Sequence, residues 1–251
     1  MKPHHLEETM TKLKLFGMLD TLETRLAQAT AGDLGHVELL QSLCEDEAAR
    51  RDAAGIERRV KAARFEQTTT VEDYDFSFNP KIPAAQIRDL ATLRFVEAGE
   101  SVILHGPVGV GKSMIAQALG HAACRRGYSV VFTKTSRLLA DLAGGHADRS
   151  FEQRLGRWSR PQIIVFDDWA MRDFTLAQAD DLYELVTARV DKSSIFTANR
   201  AASDWYTLFP NPVVAESILD RIVNSAHHVH MDGKSYRPKK RPGGASDGAT
   251  R

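Results

Sequence analysis

Only two of the 251 residues are cysteine, Cys44 and Cys124. They lie far apart and outside any metal-ligand spacing, which argues against a disulfide framework or a cysteine-built zinc site. The expectation is two buried, reduced thiols in a cytoplasmic protein. No apolar run approaches the length needed to span a bilayer, and the first residues (Met1 to Leu6) lack the apolar core of a signal peptide, so no membrane partner is expected. Net charge is absent too: 33 basic residues balance 33 acidic ones. Attraction of the whole chain to nucleic acid is thereby excluded, and only local clusters can supply one. No internal repeat is visible. With 43% hydrophobic and 26% charged residues, the composition is that of a globular chain with room for one sizeable domain and a smaller one.

Against this plain background, Gly106-Pro107-Val108-Gly109-Val110-Gly111-Lys112-Ser113 fits the phosphate-loop pattern G-x-x-x-x-G-K-[ST] at every fixed position. Its glycines let the backbone turn sharply and bring N–H groups against phosphate oxygens. Lys112 supplies an ammonium for the β- and γ-phosphates, and the Ser113 hydroxyl can ligate Mg²⁺. Ser101–His105 reads as a buried strand before the loop. Met114 to Arg126 reads as a helix after it, with its positive end towards the anion. Gly106 to Met114 is therefore the expected nucleotide-contacting stretch, with ATP and Mg²⁺ as cofactors.

About fifty residues further on, Ile163–Phe166 is an apolar strand that delivers Asp167 and Asp168 at its end. Asp167 is placed to hold the metal opposite Ser113, and Asp168 to orient or deprotonate an attacking water. Asn199 follows another apolar strand; it either holds that water and reports the γ-phosphate, or is a plain turn residue. Arg221, on the helical stretch 213–225, either reaches the nucleotide of a neighbouring subunit or forms a surface ion pair. His228 and His230 share a strand face without a further ligand set, and a polar edge strand accounts for them. Trp169, Trp205 and His105 read as packing residues.

The organisation is α/β. Residues 1–67 are helical, with leucines and methionines from Leu6 to Leu26 at three- and four-residue spacing. A break at Gly32–Gly35 is followed by helices over about 36–51 and 52–66. Residues 68–83, with Tyr74, Phe76, Phe78, Pro80 and Pro83, form an ordered linker. In 84–237, strands at 101–105, 128–133, 162–166, 194–198 and 227–231 alternate with helices at 84–97, 112–126, 135–143, 151–158, 175–190 and 213–225. Such apolar, non-alternating strands predict a central parallel five-stranded sheet covered on both faces. Residues 238–251 read as a disordered basic tail. Two local clusters stand out: Arg50, Arg51, Arg58, Arg59, Lys61 and Arg64, and the group from Lys234 to Arg241 that includes Arg237. Each is either a solvated face or a DNA contact.

The phosphate loop, Ile163–Trp169, Thr197–Arg200, Trp205-Tyr206, Phe209-Pro210, Ile218–Arg221 and Gly233-Lys234-Ser235-Tyr236-Arg237 occur in that order. Together they resemble the IstB family, ATP-binding helpers of insertion-sequence transposition, over about residues 6–238. That family is similar to DnaC-type helicase loaders and belongs to the AAA+ P-loop ATPases. The resemblance implies an ATPase that oligomerises as a ring or spiral on double-stranded DNA, deforms it, and recruits a cognate transposase. A loader of a replicative helicase is the alternative. The resemblance also implies that Arg221 acts in trans, that the basic residues from Arg50 to Arg64 contact DNA phosphates, and that Arg237 approaches nucleotide or DNA. A small-molecule kinase on the same loop would need an acceptor site and an arginine-rich lid, and the paired carboxylates suit water attack better.

Overall fold

A computed structural model describes residues 3–236. Contacts divide the chain into two compact units, one reaching to Arg58 and one beginning at Arg59. Arg237 and the 238–251 tail lie outside the described residues.

The first unit is built from α1 (Pro3–Lys12), α2 (Phe16–Thr30) and most of α3 (His36–Ala63). The leucine pattern is not one helix: the chain turns between α1 and α2, where Lys14 adopts a left-handed φ of 57°. Met10, Leu22 and Leu43 form the small core, backed by Leu6, Leu15, Met18, Leu19 and Leu39. α2 and α3 meet at Gly17, where a Cβ would lie 2.6 Å from the Glu47 Cα. The buried Glu47 carboxylate accepts from the Gly17 and Met18 amides at 2.6 and 3.3 Å, satisfying two donors at the start of α2 that no helical carbonyl can reach. Arg25 grips Asp46 through two bonds of 2.9 Å, and Thr21 donates to the same carboxylate at 2.7 Å. The Arg25 bonds, then the Thr21 bond, pull the Asp46 carboxyl down to about 2.

The expected break between helices 36–51 and 52–66 is absent. α3 runs through it as a single helix of 28 residues. Ala53 and Ala54 favour helix, and nothing there stops one. What changes is the core served: Leu39 and Leu43 pack within the first unit, whereas Val60 and Ala63 pack within the second. A shift of apolar face had the look of an interruption.

The second unit holds a parallel sheet of β1 (Ser101–His105), β2 (Val130–Lys134), β3 (Ile163–Trp169), β4 (Ser193–Ala198) and β5 (Ala226–His230), in the order β2-β3-β4-β1-β5. Around it are α4 (Ala84–Leu90), α5 (Arg94–Glu97), α6 (Lys112–Arg125), α7 (Thr135–Asp148), α8 (Phe151–Ser159), α9 (Leu176–Thr187) and α10 (Pro212–Val223). The expected single helix over 84–97 is two, because Leu93, with φ 65° and a side chain only 1% exposed, turns the chain inward. Each strand feeds both faces. Val102, Leu104, Val165 and Ile195 join α6 through Ile115 and Leu119, while Ile103, Ile164, Phe166 and Phe196 join α7, α9 and α10 through Leu138, Leu182 and Ile218. This two-sided burial explains why the strands read as continuous apolar runs. Thr175 and Gln178 close a capping box on α9, and Asn211 caps α10 with Pro212 in its first turn.

Candidate nucleotide-binding site

The phosphate loop joins the end of β1 to the start of α6, at the carboxyl edge of the sheet where open parallel sheets bind ligands. Gly109 and Gly111 take φ of 88° and 98°, which a side chain would strain. Lys112 is 8% exposed, and its ammonium donates to the Gly106 and Pro107 carbonyls at 2.8 and 2.7 Å. The cation is therefore held within the loop.

β3 does not stop at Phe166 as its apolar run suggests; it continues to Trp169 through both carboxylates. Phe166 pairs with Phe196 but Trp169 with Ala198, so β3 carries one residue more than β4 over this interval. That bulge, with Asp168 at φ 55°, re-aims the acidic pair. Asp167 turns inward, 3% exposed, and its Oδ1 accepts from Ser113 Oγ and Thr197 Oγ1, both at 2.6 Å. Asp168 faces a cleft of about 460 Å³ together with Thr135, Met171 and Gln178. Partial desolvation, and then the neighbouring Asp167, raise its carboxyl above the ordinary range.

Ser113 and Asp167 present hard oxygen donors to the same point, a donor set that fits Mg²⁺. Asn199 follows β4, which lies between β1 and β3, so it stands between the loop and the carboxylates; its amide donates to Met171 Sδ at 3.0 Å. Arg221 is not brought to this site. It occupies the last turn of α10, before β5 starts opposite Ser101, and lines a cleft with Ser101 and Ser194 at the amino edge of the sheet. There it donates to Ser217 O and Oγ at 2.7 and 2.6 Å and lies over the Tyr183 ring at 5.6 Å.

The basic cluster is not uniform. Arg50 pairs with Asp20 and lies over Phe16, Arg51 pairs with Glu47, and Arg59 donates to the Cys124 carbonyl at 2.8 Å. Arg58, Lys61 and Arg64 are exposed. The two thiols also differ: Cys124 is buried and its thiol is pushed up to about 11 by that burial, but Cys44 is exposed, contrary to the expected pair of buried thiols. β5 is an edge strand, with His227 on Glu100 at 2.6 Å and His230 beside His105. Trp169 and Trp205 are fully buried, with ring centroids 5.8 Å apart.

Residues 8–243 match the family described as IstB-like ATP binding protein. The chain belongs to that family. It is 60% identical to a protein of Mycobacterium tuberculosis named for ATP binding in an insertion sequence, over 95% of this chain and 96% of that one. It is 34% identical to the IS21 ATP-binding protein of Pseudomonas aeruginosa, over 95% and 90%. Among solved structures it is similar to DnaI (TM-score 0.57, 19% identity, 65% of this chain and 91% of that one). It is similar also to the DnaC helicase loader (0.54, 19%, 69% and 99%) and to DnaA bound to AMPPCP and single-stranded DNA (0.56, 14%, 67% and 52%). These likenesses show the fold: a P-loop with a parallel five-stranded sheet flanked by helices.

Sequence reading missed three groups at this IstB-family site. Thr197 ties Asp167 to the backbone of its neighbour, accepting from the Asp168 backbone amide at 3.0 Å while donating to the Asp167 carboxylate. Thr135 donates to the Asp167 carbonyl at 3.1 Å. Tyr74 donates to the Val110 carbonyl at 2.6 Å. Each hydroxyl belongs to a recognised segment, but only strand order and the bulge bring the two threonines to Asp167.

Proposed function

We propose that this IstB-like protein is an insertion-sequence ATPase that assembles on double-stranded DNA, remodels it, and recruits its cognate transposase. The observation that carries the reading is a divided site. Lys112, Ser113, Asp167 and Asp168 converge at the carboxyl edge of the sheet, while Arg221 stands at the opposite edge, which supports its acting on the nucleotide of another copy. A strand of about five residues spans roughly 17 Å, beyond the reach of an arginine towards its own loop. The relatives' names associate the family with insertion sequences. The family match extends through the first helical unit, whereas the likeness to DnaC covers 69% of the chain at the level of fold; this favours transposition over helicase loading.

In this reading Lys112 binds the β- and γ-phosphates and the loop amides hold the remaining phosphate oxygens. Ser113 and Asp167 hold Mg²⁺, which when bound neutralises charge on the β- and γ-phosphate oxygens. Asp168 accepts the proton of the attacking water, Asn199 orients that water, and a neighbour's Arg221 meets the charge that develops on the γ-phosphate. Asp168→Asn should lower kcat by about 10²–10⁴-fold while leaving ATP affinity within a few-fold. Because a base acts deprotonated and this carboxyl is raised, wild-type turnover should fall on acidification at a higher pH than an ordinary carboxylate would dictate. Equal rates for Asp168→Asn and wild type would remove Asp168 from the chemistry.

Assembly is tested by sedimentation on long duplex DNA. ATP-dependent oligomers and capture of a cognate transposase are expected; a protein that stays monomeric with ATP and DNA would refute the reading. For the DNA surface, replacing Arg58, Lys61 and Arg64 together should make the salt slope of binding shallower by about 0.9 for each DNA phosphate that is no longer neutralised. Arg59→Ala should act instead on stability, since its guanidinium is engaged by a backbone carbonyl. An unchanged salt slope in the triple variant would place the DNA elsewhere.

A further inference from the structure

Two segments far apart in sequence close on the phosphate loop. From the linker, Tyr74 donates its hydroxyl to the Val110 carbonyl at 2.6 Å, and its ring covers Gly111, where a Cβ would lie 2.6 Å from that ring. From the stretch after β5, the Tyr236 amide donates to the Gly109 carbonyl at 2.9 Å, and Ser235 packs where a Gly109 side chain would be. The two segments are tied together. Asn79 accepts from the Lys234 amide at 2.8 Å and donates to the Lys234 carbonyl at 3.0 Å, and Gly233 leaves the room that Asn79 fills. Tyr236 donates its hydroxyl to the Asp75 carbonyl, and its ring packs on Tyr74 and Phe78 with centroids 5.4 and 4.5 Å away.

In a trans peptide the C=O and the following N–H point in opposite directions. Holding the Gly109 carbonyl against the Tyr236 amide therefore turns the Val110 N–H away from the stretch after β5. Holding the Val110 carbonyl against Tyr74 turns the Gly111 N–H away from the linker. Neither amide is then spent on these two segments, and both stay available to an anion. Burial, and then Tyr236, raise the Tyr74 phenol above its ordinary range, so it remains a donor.

We propose that Tyr74, Asn79 and Tyr236 are positioning residues that preset the amides of the phosphate loop, and so set nucleotide affinity rather than the rate of hydrolysis. This rests on reading Gly106–Ser113 as the nucleotide site. Tyr74→Phe keeps the ring and removes only the donor to Val110. It should raise the Kd of ATP and of ADP about fivefold, the scale of one such hydrogen bond, with kcat at saturating ATP unchanged within twofold. Asn79→Asp, which keeps the acceptor but loses the donor, should weaken binding less than Asn79→Ala.

Inorganic tripolyphosphate separates the loop from the base. Its affinity should fall by the same factor as that of ATP. If ATP binding weakens while tripolyphosphate binding does not, the residues act on the base and the proposal is overturned. It is overturned equally if Tyr74→Phe and both Asn79 variants bind ATP as wild type does, whatever their melting temperatures. Were wild type itself not to bind ATP, or Lys112→Ala to bind it as tightly, the nucleotide site would fail first, a distinguishable result.

Discussion

Lys112→Ala should raise the Kd for ATP by about 100-fold or more and abolish ATP-dependent assembly. A charge-assisted hydrogen bond contributes about 1.5–3 kcal/mol, and a factor of 100 in affinity corresponds to about 2.7 kcal/mol, so loss of the ammonium suffices. A second cost adds to it. The Gly106 and Pro107 carbonyls, which now accept from Lys112 at 2.8 and 2.7 Å, lose that partner, and the loop loses its internal tie. Lys112→Arg should not rescue, because a side chain only 8% exposed leaves a planar guanidinium little room. Titration with a fluorescent ATP analogue measures the first effect and sedimentation the second. Arg58, Lys61 and Arg64 are untouched by this variant, so low-salt DNA binding should persist while assembly is lost. A variant that binds ATP within a few-fold of wild type would contradict the role given to Lys112.

The parts of this architecture that were legible in the sequence are those whose determinants are local. Gly106–Ser113 declares its loop within eight consecutive residues, and the strands declare burial on both faces through runs such as Ile163–Phe166. The illegible parts depend on neighbours in space. Thr197 matters because β4 lies beside β3 and because one extra residue between Phe166 and Trp169 turns Asp167 towards it. A bulge carries no signature in the apolar run, which stops where the carboxylates begin. Tyr236 and Asp75 meet across 161 positions, a separation that no periodicity spans. The basic run from Arg50 to Arg64 is a different case: as sequence it is one cluster, whereas Glu47, Asp20 and the Cys124 carbonyl engage three of its members. Helix α3 misled because its apolar face changes midway while its backbone does not.

Arg221→Ala should bind ATP as wild type does yet lose about 10³-fold or more of its turnover, the scale set by arginines supplied to a nucleotide from a neighbouring subunit. The effect should be large because Arg221 does little in its own chain. Its bonds to Ser217 are exposed and local to one helical turn, so they contribute little to stability and yield readily to a phosphate. The decisive measurement mixes two inactive variants. Asp168→Asn protomers keep Arg221 but lack the base; Arg221→Ala protomers keep the base but lack the arginine. Where an Arg221→Ala protomer is served by an Asp168→Asn neighbour, one complete site exists, so the mixture should recover part of wild-type turnover while neither variant alone does. No recovery in co-assembled mixtures, or a loss of ATP affinity in Arg221→Ala alone, would return Arg221 to the surface of its own helix. Recovery would mean that hydrolysis is available only to neighbours in an assembly, so that the ATP bound at Gly106–Ser113 is hydrolysed when subunits have gathered on DNA.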